Sequence, residues 1–199
     1  MSRAIDYYLA TNSPWAYLGH ERFVALAAAH GASIDLVPVD LARVFPVSGG
    51  LPLAKRAPQR QEYRLVELRR WSEYLGIPIH LEPKYLAAPA DVGARWVLAA
   101  LEQGIDAGLA MAGGVMRARW AEEADTADPA ALGGIARRAG LDATALAALA
   151  QSPGIQAKFD ANTERAIEAR VFGSPWYVYR GEPFWGQDRL DFLARALAK

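Results

Sequence analysis

Residues 6–18, DYYLATNSPWAYL, pass abruptly from an apolar, aromatic run into a helix start, and Ser13 sits at the junction. Ile5 to Leu9 has the short aliphatic and aromatic make-up of a buried strand, whereas Pro14, Trp15, Ala16, Tyr17 and Leu18 open a run without strand alternation. Proline is tolerated at the first helical position because the N–H it lacks would be unpaired there. Ser13 therefore falls at the N-cap, its hydroxyl among free backbone N–H groups at the positive end of the helix dipole. Taken alone, a serine there is a cap worth about 1 kcal/mol.

The rest of the composition narrows the chemistry. Cysteine is absent, which removes thiolate nucleophiles, disulfides and cysteine-ligated metal sites, so any thiol must come from outside the chain. His20, His30 and His80 show no paired ligand spacing, and each reads as a satisfied or solvated histidine, with no metal implied. Twenty-two basic and twenty-two acidic residues cancel, leaving no field to attract nucleic acid. No apolar run approaches a membrane span of about eighteen residues or more, and the N-terminus lacks the pattern of a secretory signal. The expectation is a protein that stays off the membrane and in the cytoplasm.

The elements that position Ser13 follow in order. The first helix should stop at Gly31, and SIDLVPVDL supplies a second strand, so the opening is a βαβ unit of the α/β class. Sites in such sheets gather at the carboxyl ends of strands, where Ser13 lies. Arg43 to Pro58 reads as a long loop, since Pro46, Pro52 and Pro58 with Gly49 and Gly50 oppose regular structure. Lys55 to Trp71 carries six basic residues against two acidic ones, mostly a solvated helix face, with Arg60 set apart just before the helix. From Asp91 to Arg170 the pattern is helical almost throughout. Asp91, Asp128, Asp142 and Ser152 stand as N-caps, and another helix covers Ile105 to Glu122. The end returns to strands, SPWYVYR and PFW around a turn beginning at Gly181-Glu182, and closes on a helix from Asp188. The order βαβ, helices, ββα is a thioredoxin-like fold with a large all-helical insertion. The thioredoxin-like part spans 1–58 and 157–199, and the insertion 59–156.

Gly173-Ser174-Pro175 immediately precedes the third strand, where a proline has no ladder N–H to offer. In thioredoxin-like folds this proline faces the N-terminus of the first helix. A cis Ser174-Pro175 bond is the expectation there, with the Ser174 backbone presented to an extended peptide.

Four segments together resemble the 2-hydroxychromene-2-carboxylate isomerases, relatives of the kappa-class glutathione transferases and of bacterial disulfide oxidoreductases. They are N-S-P-W-A-Y-L-G (12–19), R-W-S-E-Y-L-G-I-P (70–78), E-A-R-V-F-G-S-P-W (168–176) and F-W-G-Q-D-R-L (184–190). The resemblance implies glutathione as cofactor and a small aromatic carboxylate as substrate, and it leaves a homodimer open. It implies that Ser13, standing where oxidoreductases keep a cysteine, donates a hydrogen bond to the glutathione thiolate. By the same comparison Gln187 and Asp188 hold the γ-glutamyl end, Arg60 a glutathione carboxylate, and Ser174 with Pro175 the cysteinyl backbone. Relatives often have Asn where this chain reads Ser48-Gly49-Gly50.

The implied reaction interconverts 2-hydroxychromene-2-carboxylate and trans-o-hydroxybenzylidenepyruvate in aromatic hydrocarbon degradation: the thiolate adds to the conjugated double bond, the resulting single bond rotates, and elimination restores a trans alkene. Trp15, Tyr17 and Tyr85 are candidate walls for a flat substrate, although each also suits a core. A kappa-like transferase is the alternative, distinguished by a product that retains sulfur. A serine hydrolase lacks the G-x-S-x-G elbow, and a non-catalytic thiol-binding module would bind glutathione without turnover.

Overall fold

The computed structural model describes residues 3–87 and 89–199. Strand β1 (Ala4–Leu9) pairs in parallel with β2 (Ser33–Pro38), and helix α1 (Pro14–Ala29) makes the crossover. Near the far end, β3 (Trp176–Tyr179) lies antiparallel to β1, and β4 (Glu182–Trp185) antiparallel to β3. The sheet order β2-β1-β3-β4 is the thioredoxin arrangement inferred from the sequence.

Alternation along β1 divides the interior in two. Ile5, Tyr7 and Leu9 face a large core shared with Phe23 and Ala27 of α1 and with Leu190, Leu193 and Leu197 of α9 (Leu190–Leu197). Tyr8 faces the other way, towards Val37, Val44, Ala166 and Trp176. Between the two β-bearing ends run α3 (Pro58–Leu75), α4 (Ala90–Leu101), α5 (Ile105–Trp120), α6 (Pro129–Arg138), α7 (Ala143–Ala150) and α8 (Pro153–Glu168). Asp128, Asp142 and Ser152 cap their helices as the sequence predicts. Met111, Ala112, Val115 and Met116 of α5 belong to the same core as β1 and α1, so the helical layer and the sheet share one interior. The expected boundaries at 58/59 and 156/157 fall in the first turns of α3 and α8. Among the described residues, no helix is long and apolar enough to cross a membrane.

Four local expectations are corrected. The strand SIDLVPVDL ends at Pro38, and Asp40 instead caps a helix, α2 (Leu41–Ser48), where a loop from Arg43 was expected. In so short a helix Pro46 removes only one intrahelical bond. Burial of Val44 and the ion pairs of Arg43 with Asp160 and Glu164 of α8 hold the segment helical, and Gly49 ends it at φ 76°. Asp91 is not a cap: it lies inside the first turn of α4, paired with Arg95 at 3.3 Å. The hairpin turn is Arg180-Gly181, both at positive φ (51° and 79°), and Glu182 already belongs to β4. Arg60 lies within the first turn of α3, not before it.

Two polar arrangements tie distant parts together. Asp6 and Asp35 stand directly opposite each other in the β1–β2 register, and Arg165 of α8 bridges them, at 3.1 Å to Asp6 and 2.7 Å to Asp35. His20 on α1 is buried, with Nδ1 3.2 Å from the Tyr7 hydroxyl and Nε2 3.0 Å from the Leu109 carbonyl oxygen of α5. A carbonyl only accepts, so Nε2 carries the proton and Nδ1 accepts from Tyr7.

Burial lowers the His20 pKa from its ordinary 6.5. The unfolded chain therefore takes up a proton that the native protein refuses. As pH falls from about 6.5 towards the native pKa, His20 removes up to about 1.4 kcal/mol of stability per pH unit, and above pH 6.5 it costs nothing. Urea unfolding between pH 7.5 and pH 5 should show a steeper loss of stability in the wild type than in His20→Gln, and equal slopes would refute the assignment.

Candidate active site

Strand β1 stops at Leu9, a turn through Thr11 and Asn12 follows, and Ser13 enters α1 in an extended conformation (φ −82°, ψ 120°). Its backbone N–H donates to the Ala10 carbonyl at 3.0 Å, which closes the turn. The Ser13 hydroxyl accepts from the Ala16 N–H at 3.2 Å, as an N-cap does, and donates to the Ser174 carbonyl at 2.8 Å. Ser174 returns the link, its hydroxyl accepting from the Ala10 N–H at 2.9 Å. Two serines thus clasp the helix start to the turn before β3.

The Ser174-Pro175 bond is cis, as the position predicts. The Pro175 carbonyl accepts from the Gly186 N–H at 3.0 Å, which leads the wall of the site on to Asp188. Asp188 lies in a single 3-10 turn, Gln187–Arg189, with Oδ2 2.6 Å from an Arg189 guanidinium nitrogen. Gly186 sits at φ 104°, and Asp188 Oδ1 occupies the space a Cβ there would need. Gln187 is buried, its amide oxygen accepting from Arg22 of α1 at 2.6 Å, so it anchors this turn to α1 from behind. Arg60 is exposed on α3. The residues that converge by direct contact are therefore Ser13, Ser174, Pro175, Gly186 and Asp188.

Electrostatically, the α1 N-terminus is bare. No acidic residue stands in its first turn, so the positive end of the dipole meets no carboxylate of its own helix. A backbone N–H terminus with one hydroxyl suits a small anion such as a thiolate, whose charged form both hydrogen bonding and dipole favour. With no cysteine in the chain, nothing here can carry out disulfide exchange.

Other residues at this end were not singled out by sequence. Phe172 (41% exposed) and Trp185 (51% exposed) pack edge to face with ring centroids 4.6 Å apart, and Phe172 meets Trp176 at the same distance. A Cβ at Gly173 would run into the Trp185 ring. Both lie inside the V-F-G-S-P-W and F-W-G-Q-D-R segments, and partial exposure of an aromatic beside the cis proline was the missing signal. Of the candidate walls, Trp15 is half-buried, the Tyr17 hydroxyl donates to the Pro78 carbonyl at 2.9 Å, and Tyr85 is covered by the Lys84 ammonium 5.1 Å from its ring.

A thioredoxin fold whose first-helix cap is serine, facing a cis proline with no cysteine in the chain, defines a thioredoxin-like protein without thiol–disulfide chemistry of its own. The profile of the DSBA-like thioredoxin domain matches residues 4–198, and the chain belongs to that family. It is 30% identical to a 2-hydroxychromene-2-carboxylate isomerase of Pseudomonas sp. (strain C18) over 97% of this chain and 89% of the relative. A solved 2-hydroxychromene-2-carboxylate isomerase superposes with a TM-score of 0.83 at 28% identity, covering 98% of this chain and 94% of the other. The cytosolic disulfide reductase DsbM of Pseudomonas aeruginosa, solved with GSH, shares the fold at a TM-score of 0.66 and 19% identity, covering 98% of this chain and all of DsbM.

Removing the Ser13 hydroxyl loses a cap and leaves the buried Ser174 carbonyl short of a donor. Each is worth about 1 kcal/mol, so Ser13→Ala should remain folded and melt roughly 4 to 8 °C below the wild type in calorimetry. An unchanged melting temperature would mean that the hydroxyl carries no structural bond.

Proposed function

We propose that this protein is an isomerase of the 2-hydroxychromene-2-carboxylate type, interconverting the chromene carboxylate and trans-o-hydroxybenzylidenepyruvate or a close aromatic analogue, and that it depends on glutathione. The isomerase assignment rests on relatives of that name that match nearly the whole chain. The observation that carries the glutathione reading is the Ser13 hydroxyl, poised between an uncompensated helix terminus and the Ser174 carbonyl in a chain with no thiol.

Glutathione, when bound, supplies a thiolate that adds reversibly to the conjugated double bond and so permits its rotation. The protein's part is to hold charge and geometry. The Ser13 hydroxyl has one proton to donate, and Ser174 O accepts it in this structure. Rotation of that hydroxyl transfers the donation to a sulfur anion at the helix start and frees the Ser174 carbonyl to accept a peptide N–H. The exchange keeps both partners satisfied and favours the anionic sulfur. Asp188 presents a carboxylate to the ammonium of the γ-glutamyl end, partly neutralised already by Arg189. Gln187 fixes the Asp188 turn against α1, and Arg60 supplies a cation for a glutathione carboxylate. The reading places the protein in the cytoplasm, where thiols are kept reduced.

A spectroscopic isomerisation assay should show turnover only with glutathione, and Ser13→Ala should lose on the order of a hundredfold in kcat, as when an anion-stabilising donor is removed. Near-wild-type turnover of Ser13→Ala at saturating glutathione would sink the role of Ser13. Asp188→Asn should raise the KM for glutathione about tenfold, at the low end for a charged contact because Arg189 shares the carboxylate, with kcat nearly unchanged. A fall in kcat with unaltered glutathione affinity would move Asp188 into the chemical step.

A further inference from the structure

Arg60, given above to a glutathione carboxylate, belongs to a row of guanidiniums at the start of α3 whose other members have no role so far. Arg60 and Arg64 are one helical turn apart, and Arg56, just before the helix, neighbours both. Among the described residues no carboxylate pairs with any of the three, whereas Arg70, further along the same helix, takes Glu67 at 2.7 Å. Arg56 and Arg64 are half-buried all the same. Burial, with the charge of Arg60 acting on Arg56 and that of Arg56 acting on Arg64, lowers both pKa values. Desolvating like charges side by side is unfavourable unless an anion joins them. Arg56 is also locked in place: its Nε donates to the Leu51 carbonyl at 2.8 Å, and its own carbonyl accepts from Gln61 at 2.8 Å.

Contacts between α1 and α5 locate this row relative to Ser13. His20 reaches the Leu109 carbonyl, and a Cβ at Gly113 would lie 3.1 Å from His20 and 3.0 Å from Glu21. Tyr17 feels the charges of Arg117 and Glu122. The Arg64 guanidinium covers the Trp120 ring, 5.8 Å from its centroid. The Trp120 carbonyl in turn accepts from the His80 N–H at 2.7 Å, in the segment that Tyr17 holds through Pro78. Arg64 is thus linked through Trp120 and the Pro78–His80 segment to Tyr17, one helical turn after Ser13.

We propose that Arg64, backed by Arg56, is a carboxylate subsite for the aromatic substrate, one helical turn further along α3 than Arg60, which is given to the cofactor. This inference rests on the isomerase reading for the identity of the substrate, but not for the existence of the subsite. A planar guanidinium held against a buried indole is fixed in orientation and offers two parallel N–H donors to one carboxylate.

The test uses binding alone, so that it remains independent of turnover. trans-Cinnamate and its neutral isostere cinnamamide are titrated calorimetrically against the full protein, with and without saturating glutathione. The wild type should bind cinnamate at least about tenfold more tightly than cinnamamide. Arg64→Gln should abolish that preference, Arg64→Lys should retain part of it, and neither should change glutathione affinity. Equal binding of the two probes to the wild type, or an undiminished preference in Arg64→Gln, overturns the subsite. Weakened glutathione binding with an intact preference for cinnamate assigns Arg64 to the cofactor together with Arg60 and also overturns it. If Arg64→Gln fails to give the wild-type thermal melt, Arg56→Gln carries the same comparison, with a smaller loss of preference expected. Failure of the isomerase reading would show separately, as absence of isomerisation by the wild type.

Discussion

The hydroxyl of Ser13 and the carbonyl of Ser174 are joined by one hydrogen bond across 161 positions of sequence, and the site exists only where those two points meet. The constraint is a matter of counting donors. A serine hydroxyl has one proton, a helix start has N–H groups with nothing to accept them, and the turn before β3 has a carbonyl that must be satisfied. In this structure the three requirements solve one another. The same economy makes the arrangement convertible in the reading proposed above: rotation of the hydroxyl turns its one donated hydrogen bond from the Ser174 carbonyl to an anion and leaves that carbonyl free for a peptide N–H.

That convertibility needs a rigid frame, which the fused core supplies. α5 packs on β1 and α1, and the Tyr7–His20–Leu109 chain pins the two helices together through a neutral imidazole. Behind the cis-proline side of the site, Gln187 and Arg22 fasten the Asp188 turn to α1. Gly19 permits the approach, since a Cβ there would come within 2.8 Å of the Gln187 side chain. α1 is therefore held near its start by Ser174, in its middle by α5 and by the turn that carries Asp188. Each fixing point bears on where the Ser13 hydroxyl stands.

What could be read from the sequence follows how local the determining interaction is. Ser13-Pro14, Asp128, Asp142 and Ser152 announce helix starts because a cap is completed within three residues. Ser174-Pro175 was legible because its place before β3 follows from the order of elements. α2 was not, since Pro46 and the glycines are visible locally, while Val44 burial and the pairing of Arg43 with α8 depend on residues more than a hundred positions away. Asp91 looks like a cap until Arg95 competes for it. The hairpin turn was displaced by one residue because Arg180, not a glycine, takes the first positive φ. Nothing in the spacing of Arg56, Arg60 and Arg64 reveals that they lack carboxylate partners, as that depends on what the rest of the fold leaves beside them.

The pairing of Asp6 with Asp35 bears on how the chain is made. Two carboxylates facing each other across a parallel ladder repel, and the cation between them, Arg165, comes from a helix some 130 residues later. The first βαβ unit, although contiguous and early, emerges during synthesis with a destabilising charge pair at its centre and with β3 still to come. Its register should tighten only when α8 arrives, so the thioredoxin half closes late and around the helical segment already formed. Completing the sheet also requires β1 to meet β3 from the far end of the chain, a non-local pairing whose loop-closure cost precedes its reward.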